Sequence, residues 1–325
     1  MVHSYNEQMM FGSFFYTFVT HNQPMAKLRK NHRNTSLIGP GFIRIIGLLL
    51  ILLLGLIVFK FLPASTDDSS EEYTNKGIAS SSAEGRNYLP SAQGQLIHHE
   101  HYSLSYLEEF EQPEWVAYEL KKSNLFKKHV PRSGDFRSDS AVKTTSANKA
   151  DYKRSGYSRG HLVPAGDMAF DQNAMSETFF MSNMSPQSIP FNGGIWRELE
   201  EQVRDWAKKY NHLYVVSGPV LTEKPIDYIG HNDVAVPASY YKVILDMNRG
   251  NPRGIGYIIP HKTSEEPLEK YAVTIDEVEQ LTKIDFFKDL MPEEEQQAFE
   301  SVKNTRPWYF SDKRFQTRKK SWNNM

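Results

Sequence analysis

Apolar residues run almost without interruption over 45–59, extended by Phe42, Ile43, Phe61 and Leu62 around Arg44 and Lys60. The run carries no polar stripe, so it lacks the 3.6-residue alternation of a helix lying on a core. Roughly 20 residues at about 1.5 Å each span a bilayer, and the two basic side chains can extend to the headgroups. One transmembrane helix over 42–62 is therefore expected. Ser, Asp, Glu, Thr, Asn and Gly dominate 63–95, a composition with too little to bury, and a disordered tether is the reading.

From 96 onward the apolar positions become periodic. Runs at 213–219, 240–245 and 256–259 read as strands, the second rich in aromatic and β-branched residues. Strand-like segments are also expected at 157–163 and 179–183. Over 194–210, Ile195, Trp196, Leu199, Val203, Trp206 and Tyr210 form one stripe at helical spacing, with Asn192 at its N-terminal edge. Shorter helices are expected at 276–281 and 292–302, the latter opening on Pro292 and three glutamates where the helix dipole favours acids. The strands do not alternate with long helices, which predicts an α+β fold with largely antiparallel sheet, as one domain over 96–325.

Composition narrows the chemistry. A hydrophobic content of 39%, with 13% aromatics, supports a sizeable core. The net charge of −1 gathers no polyanion by a global field, so any such contact comes from local clusters. There is no cysteine, which excludes disulfides, thiolate metal sites and cysteine nucleophiles. Lys27, Arg29, Lys30 and Arg33 precede the apolar run and Asp67, Asp68, Glu71 and Glu72 follow it. That bias puts segment 1–41 in the cytoplasm and the domain outside it, in a bacterial periplasm. A cleaved signal peptide is disfavoured because Leu62 stands where a small residue is wanted. The alternative is that the basic head is an organelle transit sequence, which would put the protein at the mitochondrial inner membrane. Met25 opens the basic segment, and translation is expected to start there.

The densest chemistry lies in Ser158-Arg159-Gly160-His161, followed by Asn183, Asn192 and Glu200. Hydrolysing a phosphodiester requires an activated water, charge neutralisation on the non-bridging oxygens and help for a departing alkoxide. His161 can be neutral at working pH and act as general base. Arg159 offers a guanidinium that matches phosphate. Glu200 falls on the helix, and Arg204 one turn later on the same face. The plain alternatives are a packed histidine, an asparagine cap and a solvated Glu–Arg pair.

This constellation resembles the DNA/RNA non-specific endonuclease family, which includes endonuclease G and is built on the ββα-metal (His-Me finger) motif. Trp115-Val-Ala-Tyr118, Arg132-Ser-Gly-Asp-Phe-Arg137-Ser-Asp139, Ser217-Gly-Pro-Val220, Pro237 to Asp246 and Tyr271-Ala-Val-Thr-Ile-Asp276 are similar to further segments of that family in the same order. The resemblance implies a ββα-metal fold and hydrolysis of DNA and RNA to 5′-phosphate and 3′-hydroxyl ends. It implies that Asn192 is the direct ligand of Mg²⁺, or of another divalent ion such as Mn²⁺, an ion that keeps most of its waters. Glu200 would hold waters of that ion, and Asn183 would orient the site. Arg159, Arg204 and either Arg132 or Arg137, with Arg132 preferred, would bind the phosphate. A homodimer is a further expectation. The chain departs from the family at Ser158, where Asp is most frequent.

Two other readings stay open: an inactive relative that only binds nucleic acid, and a metal phosphodiesterase for small substrates. His98, His99 and His101 read as a polar edge rather than a metal cluster. Lys313, Arg314, Arg318, Lys319 and Lys320, with Phe315 and Trp322, fit either a nucleic-acid contact or a frayed, solvated terminus.

Overall fold

A computed structural model describes residues 87–247 and 251–324. Segments 1–41 and 42–62 lie outside these residues, as does most of the expected tether. Among the described residues no helix is long and apolar enough to cross a membrane. The centre is a seven-stranded antiparallel sheet of β1 (Gln95–His98), β2 (Ser103–Leu107), β3 (Gln112–Lys121), β6 (His212–Pro219), β9 (Ser239–Asp246), β10 (Arg253–Pro260) and β11 (Ala272–Val273), in that spatial order. Two small pairs flank it: β4 (Tyr157–His161) with β5 (Met184–Ser188), and β7 (Asp227–Ile229) with β8 (Val234–Val236).

The pleat sends successive side chains of β9 to opposite faces: Tyr240, Lys242 and Ile244 to one, Tyr241, Val243 and Leu245 to the other. All six are buried, so the sheet is covered on both sides. After the short α1 (Gln172–Glu177), the long helix α2 (Arg197–Tyr210) lays Leu199, Val203 and Trp206 on the first face, with Tyr240 and Ile244. Helices α3 (Ile275–Thr282) and α4 (Glu293–Glu300) cover the second with Ile275, Val278 and Phe299. A capping box starts α3: Thr274 Oγ1 accepts from Glu277 N at 3.0 Å and Glu277 Oε2 from Thr274 N at 2.7 Å. The α+β, largely antiparallel architecture agrees with the sequence reading.

Four expectations change. The strand expected at 179–183 is instead a 3-10 turn, Met181–Asn183, and the strand is β5, which pairs with β4 from Tyr157↔Ser188 to His161↔Met184. The cause is the buried Asn183 side chain, whose Oδ1 accepts from Val163 N at 2.9 Å while Nδ2 donates to the carbonyls of Val163 and Thr178. These bonds replace a ladder there. The helix expected from 194 begins earlier, with a turn at Ile189–Phe191 and a π turn at Asn192–Trp196 before α2. Gly194, at φ −100° and ψ −109°, carries that irregularity, and Asn192 is inside the turn rather than capping it.

The folded part also begins before residue 96: Tyr88 is buried and stacks on Tyr214, and Trp115 Nε1 donates to Ser91 O at 2.8 Å. The C-terminal segment is not frayed. It forms helix α5 (Asp312–Lys320), in which Arg318 is fully buried, and Trp322 is buried just after it. A side chain with that much charge enters the core only where acceptors await it.

Candidate active site

Strand β4, the π turn and the first turns of α2 enclose an open cleft of about 430 Å³, lined by Arg132, Ser158, Arg159, His161, Asn192, Arg197, Glu200, Glu201 and Arg204, with Ile189 also on its wall. His161 ends β4. Glycine before it makes room for the Gln187 side chain that crosses from β5: a Cβ on Gly160 would lie 2.2 Å from that side chain and force it to shift. The edges of Phe136 and Phe179 pack on the imidazole at centroid distances of 5.8 and 4.9 Å.

His161 is only 8% exposed, and its Nε2 is buried without a hydrogen-bond partner. Burial, reinforced by the positive charges of Arg132 and Arg159, pushes its pKa down to about 3, while a hydrogen bond to the Arg159 backbone works the other way. The imidazole is therefore neutral, and its partnerless Nε2 is the ring nitrogen left free to take a proton.

Asn192 is oriented by a chain of two hydrogen bonds. Ser158 Oγ donates its single proton to Gln187 O at 2.7 Å, so it can only accept from Asn192 Nδ2, at 2.9 Å. The direction of the first bond thus fixes the amide of Asn192, with Oδ1 turned away from Ser158. Trp196 Nε1 donates to His161 O at 3.4 Å, joining the π turn to the strand.

Glu200 makes no direct hydrogen bond among the described residues. Burial raises its pKa above the usual carboxylate range, and Arg204 and Lys242 oppose the rise. Lys242 is fully buried on β9, donates to Ser217 Oγ at 3.0 Å and lies 4.8 Å from the Trp196 ring centre; burial lowers its pKa, against the pull of Glu200. Arg204 donates to Asp167 Oδ1 at 2.7 Å, and Asp167 also accepts from Tyr118 OH at 2.7 Å. Arg159 lies over the Phe136 ring and Arg132 over Phe179, at 4.1 and 4.9 Å. The cleft thus brings together a partnerless imidazole nitrogen, the Asn192 amide and the guanidinium groups of Arg159, Arg132 and Arg204.

The family model of the DNA/RNA non-specific endonuclease matches residues 80–293. The chain belongs to that family. This nuclease is 31% identical over 239 residues to the zebrafish "Nuclease EXOG, mitochondrial", which covers 69% of this chain and 70% of the relative. It is 33% identical over 210 residues to the human "Endonuclease G, mitochondrial", covering 61% of this chain and 71% of the relative. Among solved structures it is similar to the complex of EndoG with EndoGI, at a TM-score of 0.58 and 32% identity, covering 64% of this chain and 90% of that one. Helix α5 and nearly all of α4 lie beyond the matched residues.

Two residues expected in the site of the nuclease stand outside the cleft. Arg137 binds Asp135 Oδ2 at 2.7 Å and Ser176 O at 3.0 Å and lies on the Phe180 ring, which engages its guanidinium away from the lining. Asn183 is fully buried and touches backbone, so it positions the chain after His161 and does not face a substrate. The three histidines near the N-terminal edge go to separate partners: His98 to Ser103, His99 to Asp139 and His101 to Glu177.

Sequence reasoning missed Lys242 and Asp167. Lys242 had a signal, since a lone lysine amid Tyr240, Tyr241, Val243, Ile244 and Leu245 must be buried and needs a counter-charge. Asp167 had none, because its role depends on Arg204, 37 residues away.

Proposed function

We propose that the protein is a membrane-anchored, metal-dependent endonuclease that hydrolyses DNA and RNA with little sequence preference. His161 is the general base and Asn192 the metal ligand. The observation that supports this most is the buried, partnerless Nε2 of a neutral His161 in the same cleft as Asn192, whose Nδ2 is taken by Ser158. A donor set of carboxamide and carboxylate oxygens fits a hard ion, Mg²⁺ or Mn²⁺, with Asn192 holding it directly and Glu200 through water. Bound there, the ion would neutralise phosphate charge and ease departure of the leaving oxygen.

In the reaction, His161 Nε2 takes a proton from water. The water oxygen bonds to phosphorus and the bond from phosphorus to the 3′ oxygen breaks, leaving a 5′-phosphate and, after protonation from solvent, a 3′-hydroxyl. Arg159, Arg132 and Arg204 bind and orient the phosphate. These groups address phosphate rather than base edges, which accounts for the lack of sequence preference.

The anchor is the apolar run 42–62, with the domain on the non-cytoplasmic side. Relatives whose names place them in mitochondria favour the mitochondrial inner membrane over a bacterial periplasm. Labelling the two chain ends in intact and permeabilised compartments tests topology, and sedimentation of the purified chain tests the expected homodimer.

Incubating plasmid DNA and single-stranded RNA with Mg²⁺ tests the chemistry. Cleavage of both is expected, with a loss of about 10³-fold in His161→Ala and in Asn192→Ala. A wild-type chain that binds nucleic acid but never cuts would make it a binding relative. Cleavage of small diesters alone would make it a different phosphodiesterase.

A further inference from the structure

Helices α3 and α4 meet on the sheet face opposite α2, and three carboxylates converge at their junction. Asp276 and Glu279 belong to α3 and Glu300 ends α4. One ligand atom from each lies within 4.8 Å of the other two. Acids in a group are common on surfaces, but Glu300 is not on the surface. It is 5% exposed, and its Oε1 is buried with no hydrogen-bond partner. Glu279 is partly buried and accepts one hydrogen bond, from Phe286 N at 2.8 Å.

Among the described residues the surroundings supply no counter-charge. Around Glu300 the charged groups are Glu279, Asp276 and Asp285, all acidic, and the nearby Lys288 pairs with Asp289. Ile275, Val278, Phe286, Phe287 and Phe299 form the adjacent apolar layer. A buried carboxylate oxygen among like charges and hydrocarbon calls for a cation or a proton.

We propose that Asp276, Glu279 and Glu300 form a calcium site that clamps α3 to α4, distinct from the ion at Asn192. All donors are carboxylate oxygens, which selects a hard ion over zinc. Ca²⁺ bonds oxygens at about 2.3–2.6 Å, so two ligands on opposite sides of one ion stand roughly 5 Å apart, which accommodates the observed spread. Mg²⁺ demands tighter octahedral geometry and gives up its waters reluctantly. Asp276 is exposed, leaving an open side for entry and for water ligands. The site is independent of the nuclease reading.

The test titrates CaCl₂ into the purified full chain carrying Asn192→Ala, which removes the catalytic ligand. One Ca²⁺ per chain should bind, and at 100-fold above Kd the Tm should rise by about 5 °C or more over the EDTA value. Adding Glu300→Gln, or the exposed Asp276→Asn should the buried change prevent folding, should remove both the binding and the shift. The proposal is overturned if Asn192→Ala shows no calcium-dependent heat or shift, as proton sharing among the carboxylates would give. It is equally overturned if the shift survives both second substitutions.

Discussion

Glu198 and Glu200 stand two residues apart on one helix, so they project on opposite sides of it, about 200° around the axis. Glu198 is 3% exposed, and Arg318 Nε donates to its Oε2 while the remaining guanidinium nitrogens donate to the carbonyls of Ser264 and Glu266. Glu200 lies among Arg204, Lys242, Asp167 and Arg132 and bonds to none of them. The first arrangement is closed and the second leaves donors and acceptors open toward a cleft. A fully satisfied buried charge fastens one element to another, whereas a carboxylate left unbonded beside a cleft keeps capacity for a substrate.

Breaking the closed side should produce the largest effect on stability. Arg318→Met strands the Glu198 carboxylate in the core, while the Ser264 carbonyl keeps its bond from Asn323 Nδ2, and losing one partner of a buried pair costs about 3–5 kcal/mol. Urea unfolding measures the loss, and kcat/KM per folded molecule should stay within about twofold. Adding Glu198→Met should recover part of the stability, because the uncompensated charge goes with it. A stable Arg318→Met chain that no longer cuts would show that the two faces of α2 are not separate.

The open side should behave in reverse. Glu200→Gln is expected to lower kcat/KM by about 10²-fold with no loss of stability. Because the folded pKa of Glu200 is raised, its ionised form is penalised in the folded state, and stability falls as pH rises from the unfolded value through the raised one. Glutamine removes that penalty at neutral pH. His161 stays neutral down to about pH 3, so the fall of kcat/KM on the acid side should follow Glu200 and disappear in the variant. An unchanged acid limb in Glu200→Gln would reassign it.

The closed and open sides were not equally legible in the sequence. The stripe Leu199, Val203 and Trp206 announced the helix and its buried face, and strands β6, β9 and β10 followed from apolar runs, because side-chain period is local information. His161, Asn192 and Glu200 share one supersecondary unit, so their convergence was also readable from spacing. Arg318 looked like one more basic residue of a polar tail. Its partners Glu198 and Ser264 stand 120 and 54 residues away, and no local pattern encodes them. Asn183 misled for a related reason, since its amide replaces a strand ladder with side-chain bonds in a segment whose composition suits a strand.

The smallest expected effect tests how the open side is held in order. Ser158 has one proton and gives it to Gln187 O, which leaves its lone pairs to anchor the Asn192 amide. Alanine removes that anchor without adding volume, so the amide can rotate and present Nδ2 in place of Oδ1 to the cleft. A single neutral hydrogen bond contributes about 0.5–1.5 kcal/mol, which corresponds to roughly a 5-fold loss of kcat/KM at limiting Mg²⁺. The loss should shrink at saturating Mg²⁺, because an ion that binds the oxygen selects the productive rotamer. Stability should be nearly unchanged, since Ser158 is only partly buried. A loss in Ser158→Ala that does not depend on Mg²⁺ concentration would separate Ser158 from Asn192 and place its role in the β4–β5 pairing at Gln187.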